Sequence, residues 1–385
     1  MRRELEAIAI PDETGAETRA WEVVARAFAE REPASRPTRA RRSLVPALAV
    51  LAAAAAAIAI AVTPAGSTML HSVRQAVGLR NAAPALTRLP AAGPLLVSSS
   101  AGPWIVQPDG SKRLLGRYAE ASWSPHGLFV AVTRAHELLA VDPKGNVRWS
   151  LARSGRISLP RWAPDGYRIA YLDGSALRVV AGDGSGDRLL DPAVAPIAPA
   201  WRPSTTHEHV LAFVTAADRL VIVDVDSGTV LARRELHPHP SQLLWSPDGD
   251  RLVVVAPHAL TAFGRTGARL ASIHVHRAVG AADFDPGSHE LSVVLGGARS
   301  DAVSFDLDRP HRAPAELFSG SGRFGGLAWS PDGRWLLVAW PTADQWVFVP
   351  SGEGRIVAVA GLATQFSSGR GAGPPRLDGW CCTPG

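Results

Sequence analysis

Three His-x-His pairs stand out: His207/His209, His237/His239 and His274/His276. On an extended strand, residues i and i+2 share a face, so each pair could chelate a metal ion. His237, His239, His274 and His276 could converge on one ion as a ligand-binding site, although no carboxylate spacing sharpens that reading. The other reading is that histidine is simply common in exposed loops of this chain. Cys381 and Cys382 are its two cysteines. Neighbouring cysteines lack the spacing of a zinc site. They could close a strained eight-membered disulfide ring, pair between two chains, or remain packed thiols. No G-x-S-x-G, H-E-x-x-H or P-loop occurs, so no catalytic residue and no cofactor is expected.

These residues lie in a repeat. An aromatic-x-Pro turn recurs at Trp123, Trp162, Trp201, Trp245 and Trp329, with a variant at Phe284 that keeps the proline. The fullest copies read WSPDG, at Trp245–Gly249 and Trp329–Gly333. Proline presets a turn, aspartate bonds back to the backbone, and glycine accepts a positive φ. Apolar or alternating strands follow each turn, as at Arg251–Val255 and Trp335–Trp340. Four strands per roughly 40 residues make one propeller blade. Three strands before the first turn and the segment around Trp380 would form one further blade, closed by both ends of the repeat region. An all-β propeller of seven four-stranded blades is expected, with six as the alternative.

The repeats resemble those of TolB-type β-propellers, a branch of the WD-repeat-like propellers, over about 95–385. Propellers of this kind serve as scaffolds, as periplasmic binding subunits, and as non-catalytic domains of peptidases. The peptidases carry a separate catalytic α/β domain, for which this chain has no room. Val141–Trp149, VDPKGNVRW, is similar to the repeat of quinone-cofactor propeller dehydrogenases, in one good copy.

The strong basic balance, a pI near 9.8, is concentrated ahead of the repeats. Residues 1–42 hold 9 Arg and 8 acids, and residues 43–94 hold Arg74, Arg80 and Arg88 with no acid. Of 40 basic and 35 acidic residues, 28 and 27 therefore fall in 95–385, so no nucleic-acid partner is expected. Leu44–Val62 is an uncharged apolar run, long enough at 1.5 Å per residue to cover roughly 28 Å, about one hydrocarbon core. Arg36, Arg39, Arg41 and Arg42 precede it, which puts the N-terminus in the cytosol. A cleaved signal peptide is the rival reading. Within residues 17–31, Trp21, Val24 and Phe28 share one helical face, suited to lipid headgroups or to a cytosolic partner.

The expected organisation is a cytosolic tail (1–42) with an amphipathic helix, a transmembrane helix (43–63), a stalk (64–94) and the propeller (95–385). The expected function is a bacterial plasma-membrane protein whose extracytoplasmic propeller binds a protein on one face. It could couple an outside ligand to a partner of the tail helix. A metal- or quinone-dependent enzyme acting in the funnel is the alternative.

Overall fold

The computed structural model describes residues 88–204, 208–366 and 373–382. The tail helix with Trp21, Val24 and Phe28, the apolar run, His207 and most of the stalk lie outside these residues. Among the described residues no helix is long and apolar enough to cross a membrane.

Twenty-eight strands form seven four-stranded antiparallel sheets. Blade 1 combines β1 (Leu95–Ser99), β2 (Gly102–Val106) and β3 (Lys112–Leu114) with β28 (Arg376–Trp380), in the order β28-β1-β2-β3. Blade 2 runs from β4 (Glu120–Trp123) through β5 (Val130–Arg134) and β6 (Glu137–Val141) to β7 (Val147–Ala152). Blades 3 to 7 repeat the plan over 157–191, 200–235, 242–274, 279–321 and 326–360. Their innermost strands are β8 (Ile157–Trp162), β12 (Ala200–Trp201), β16 (Gln242–Trp245), β20 (Val279–Phe284) and β24 (Gly326–Trp329). A short helix, α1 (Leu362–Gln365), precedes the closing strand. The seven-bladed expectation holds, and Trp380 takes the aromatic position of the closing strand.

The second strand of a blade is covered on both faces, because blades stack face to face. Hence Val210–Val214 and Leu252–Ala256 are buried at every position. Outer strands alternate between partly covered and exposed, as in β7 and in Arg269–His274. Between adjacent blades lie seven apolar clusters, and each contains one motif aromatic. Trp123 joins blades 1 and 2, Trp162 joins 2 and 3, Trp201 joins 3 and 4, and Trp245 joins 4 and 5. Phe284 joins 5 and 6, Trp329 joins 6 and 7, and Trp380 joins 7 and 1. Leu89 is already buried in that last cluster, and its amide donates to Pro108 O at 2.9 Å. The expected stalk therefore gives way to packed chain before residue 94, because an apolar slot at the closing seam takes up Leu89.

Each turn after an innermost strand folds as its residues require. Ser246 Oγ donates to Asp248 Oδ1 at 2.5 Å and accepts from the Arg251 amide at 2.9 Å. Gly249, at φ 73°, supplies the left-handed residue.

Two seams carry a matched polar lock beside these turns. His209 Nε2 lies 2.7 Å from Asp165 Oδ2 in the turn of blade 3, and its Nδ1 bonds Asp226 of its own blade. Arg168 Nη2 lies 3.1 Å from Asp226 Oδ1. Between blades 5 and 6, His289 Nε2 lies 2.7 Å from Asp248 Oδ2, and Nδ1 lies 2.8 Å from Asp308 Oδ2. Arg251 Nη2 lies 3.2 Å from Asp308 Oδ1. Carboxylates only accept, and against the opposing effect of burial the two beside His289 raise it above the ordinary histidine value.

Candidate functional site in the propeller lumen

The innermost strands of successive blades ring a central lumen of about 700 Å³. Side chains on a strand alternate in direction. When the motif aromatic turns into a seam, the residues one and three positions before it turn to the lumen. These positions place Glu120, Ser122, Leu159, Arg161, Gln242, Leu244 and Asp283 on the lumen wall, and Asp378 joins them from the closing strand.

Among the seven innermost ladders, three have a register shift. They are β8 with its neighbour beside Leu159, β20 with its neighbour beside Ala281, and β28 with β1 beside Asp378. Arg161, Asp283 and Asp378 stand on these three strands. A bulge re-aims the side chains beside it and loosens the ladder, a device common at working sites. The unshifted innermost strands β4 and β16 contribute Glu120 and Gln242, which act largely as seam clasps. The Leu159 amide donates to Glu120 Oε2. Gln242 Nε2 donates to Ala282 O at 3.0 Å, and its Oε1 accepts from the Ala282 amide at 3.2 Å.

Of the three bulged charges, Arg161 and Asp283 have no ion-pair partner among the described residues, while Asp378 is paired with Arg376. Arg161 Nη1 donates to Pro160 O at 2.8 Å, and no carboxylate lies within ion-pair reach among the described residues. Burial pulls its guanidinium below the ordinary value, while the more distant charges of Asp378 and Glu120 oppose that and Arg376 adds to it. Asp283 accepts from the Trp329 amide at 2.9 Å and from its neighbour's amide, Phe284, at 3.1 Å. Burial still lifts it to about 6, against the two amides and with a small push from Asp285. Burial also raises Asp378, although Arg376 and Ser98 bond it. A lumen with a guanidinium and an acid held away from their ordinary values has polar capacity left for a ligand.

His237, His239, His274 and His276 lie elsewhere. All four are exposed. His239 Nδ1 lies 2.6 Å from Asp218 Oδ1, while His274 and His276 meet edge to face at 5.4 Å. Val275 between them is buried, so the alternation expected of that pair is present. The convergence on one ion is not. Among the described residues no three His, Cys, Asp or Glu side chains gather around a metal position. The reason is that the two loops belong to successive blades, and His239 turns back to the hairpin of its own blade. The VDPKGNVRW segment is a turn centred on Asp142, whose carboxylate binds Asn146 and Arg148 and is held at about 2, chiefly by the Asn146 side chain. Cys381 and Cys382 are joined as a disulfide.

No family model matches the chain, and no curated protein matches it in sequence. Solved structures do resemble it. The propeller domain of Cps50 (Swd1) from Myceliophteria thermophila is 15% identical, with a TM-score of 0.49 over 63% of this chain and 85% of that one. Hydrazine synthase from Kuenenia stuttgartiensis is 13% identical, with a TM-score of 0.49 over 60% and 75% of the two chains. At these identities the likeness is one of chain path, and the seven-bladed assignment rests on the strand pairing above.

Sequence reasoning missed Arg161, Asp283 and Asp378. A signal was present: the residue directly before a motif aromatic is charged at Arg161 and Asp283, and is small or apolar in the other copies.

Proposed function

We propose that the chain is a membrane-anchored propeller that serves as a binding module, with the lumen as its recognition site. The observation that carries this is the placement of Arg161, Asp283 and Asp378 on the three bulged innermost strands. The WSPDG copies support kinship with TolB-type propellers, which act as binding and scaffold modules. The apolar run Leu44–Val62 and the arginines before it support a single span with the propeller outside the cytosol. The bound species is a protein or other envelope component rather than a substrate to be turned over.

Two experiments test this reading. A reporter fused after Gly385 should be active only in its extracytoplasmic form, and full-length chain should resist alkaline extraction from membranes. In-cell crosslinking of the full-length protein should trap a partner that is lost in Arg161→Glu and Asp283→Lys variants that still fold. A partner trapped equally by wild type and both variants would move recognition away from the lumen.

A further inference from the structure

The adjacent cysteines lie where the lumen opens beside the motif turns. Cys381 and Cys382 share that wall with Ser124 and Pro125 of blade 2. The Cys381 amide donates to Pro94 O at 2.9 Å, so the disulfide directly follows the strand that closes the ring. Both sulfurs rest on the turn of blade 2, at 3.7 and 3.8 Å from Ser124 O. A Cβ placed on Gly127 would stand 3.4 and 3.5 Å from them. Cys381 is 5% exposed, whereas Cys382 is half-buried and reachable from the lumen mouth.

A stapling role explains this bond poorly. A disulfide stabilises mainly by shortening the loops of the unfolded chain. Neighbouring residues enclose no loop, so that gain is almost absent. The peptide bond also fixes adjacent Cα atoms near 3.8 Å, here 3.7 Å, whereas ordinary disulfides span about 4.4–6.8 Å. A bond that holds little of the chain together, constrained by its own backbone and open to solvent on one side, belongs to the labile class.

We propose that Cys381–Cys382 is a thiol–disulfide exchange site at the lumen mouth, reduced by a dithiol donor. A donor thiolate attacks Sγ of Cys382, the more exposed sulfur. The Cys381–Cys382 bond breaks, and Cys381 leaves as a thiolate that takes up a proton. The donor's second thiolate attacks its own sulfur in the mixed disulfide, and Cys382 leaves and is protonated in turn. Two electrons and two protons reach the protein, and the donor departs as a disulfide. The parted thiols no longer fit the small space over Ser124 and Gly127, so reduction loosens the seam between blades 1 and 2.

The chain has no other cysteine, so thiol counting reports this site alone. Full-length protein is treated with dithiothreitol under native conditions, quenched with iodoacetamide at intervals and weighed. Two alkyl groups should appear at a rate within about tenfold of that in urea-unfolded protein, with the thermal transition retained. Native reduction more than about a hundredfold slower than in urea would overturn the proposal. Cys381→Ser, which keeps Cys382, should form a mixed disulfide with oxidised glutathione at least about tenfold faster than Cys382→Ser. Equal rates would overturn the assigned order of attack. Should a variant fail to fold, the wild-type rates still decide the main point. Hydrogen exchange at the Phe129 amide, which bonds Ser124 Oγ at 2.9 Å, should quicken on reduction, and no change there would remove the seam effect.

Discussion

The seams of this ring are held in two ways. Between blades 3 and 4, and between 5 and 6, consecutive chain carries a polar lock at the rim. There an aspartate and an arginine of one blade meet a histidine and an aspartate of the next. At the closing blade the partners are nearly 300 residues apart, and the join is main chain and aromatic. β28 pairs β1 from Leu95↔Trp380 to Ser98↔Arg376, and Trp380 Nε1 donates to Gly93 O at 3.0 Å. A rim lock can fine-tune a seam whose blades the chain already links. The closing seam must supply the closure itself, and a strand ladder plus a wedged indole supplies more than a pair of charges.

The largest effect should therefore come from the closing strand. Ending the chain at Pro375 leaves β1 with an unpaired edge facing the lumen, and we expect no cooperative thermal transition and loss to the insoluble fraction. Trp380→Ala should cost about 3 kcal/mol, read by urea unfolding of the full chain, from the lost indole volume and its bond to Gly93. Gly93→Ala should also be severe, because its φ is 88° and the added Cβ would lie 2.0 Å from Cys381 O.

Breaking a rim lock should cost less. His209→Ala and His289→Ala each leave two carboxylates facing one another, with an expected loss of about 1–2 kcal/mol by the same urea titration. His209 should be the costlier, since its side chain is 9% exposed against 20% for His289. If either loss exceeded that of Trp380→Ala, the ranking of the two kinds of seam would be reversed.

The locks also predict a pH window. Burial opposes the charge on His289, yet Asp308 and Asp248 raise it above the ordinary histidine value. Its contribution is full below about 6.5 and is lost as pH rises through the raised value. Burial alone would raise Asp248, but Ser246, the Asp250 amide and His289 together hold it at about 2. That contribution is full above about 4 and is lost as pH falls towards about 2. The thermal midpoint should peak between these limits, and His289→Asn should flatten both flanks. A wild-type profile that the substitution leaves unchanged would show that the lock carries no coupled charge.

The ring was legible in the sequence because its turns obey local rules. Trp-Ser-Pro-Asp-Gly dictates a turn whatever surrounds it, and a lone first strand ending at Trp380 implies a partner at the other end of the repeats. The locks were not legible. His209 reads as half of a pair with His207, but its partners Asp165 and Asp226 lie 44 and 17 residues away. The same limit explains the four exposed histidines. The shared face of His274 and His276 is a local property, whereas meeting His237 and His239 would need a geometry set by blade stacking. Arg161 and Asp283 were hidden by neighbouring aromatics that carry the stronger pattern.

The smallest effect tests the lumen against the rim. Among the described residues Asp283 has no cation beside it, and burial raises it to about 6. Between about 4 and that value the folded chain holds a proton that the unfolded chain has released, so stability falls as pH rises through about 6. Asp283→Asn removes this titration while keeping an oxygen for the Trp329 amide, although it gives up the bond to Phe284. The variant should be more stable than wild type at pH 7.5 by about 1 kcal/mol, and the difference should vanish near pH 4. Asp226, Asp248 and Asp308 at the rim behave in the opposite sense, since their charged forms are the stabilised ones. A variant less stable than wild type at pH 7.5 would mean that ionised Asp283 has a cationic partner. The lumen would then be a closed network like the rim, with no charge left over for a ligand.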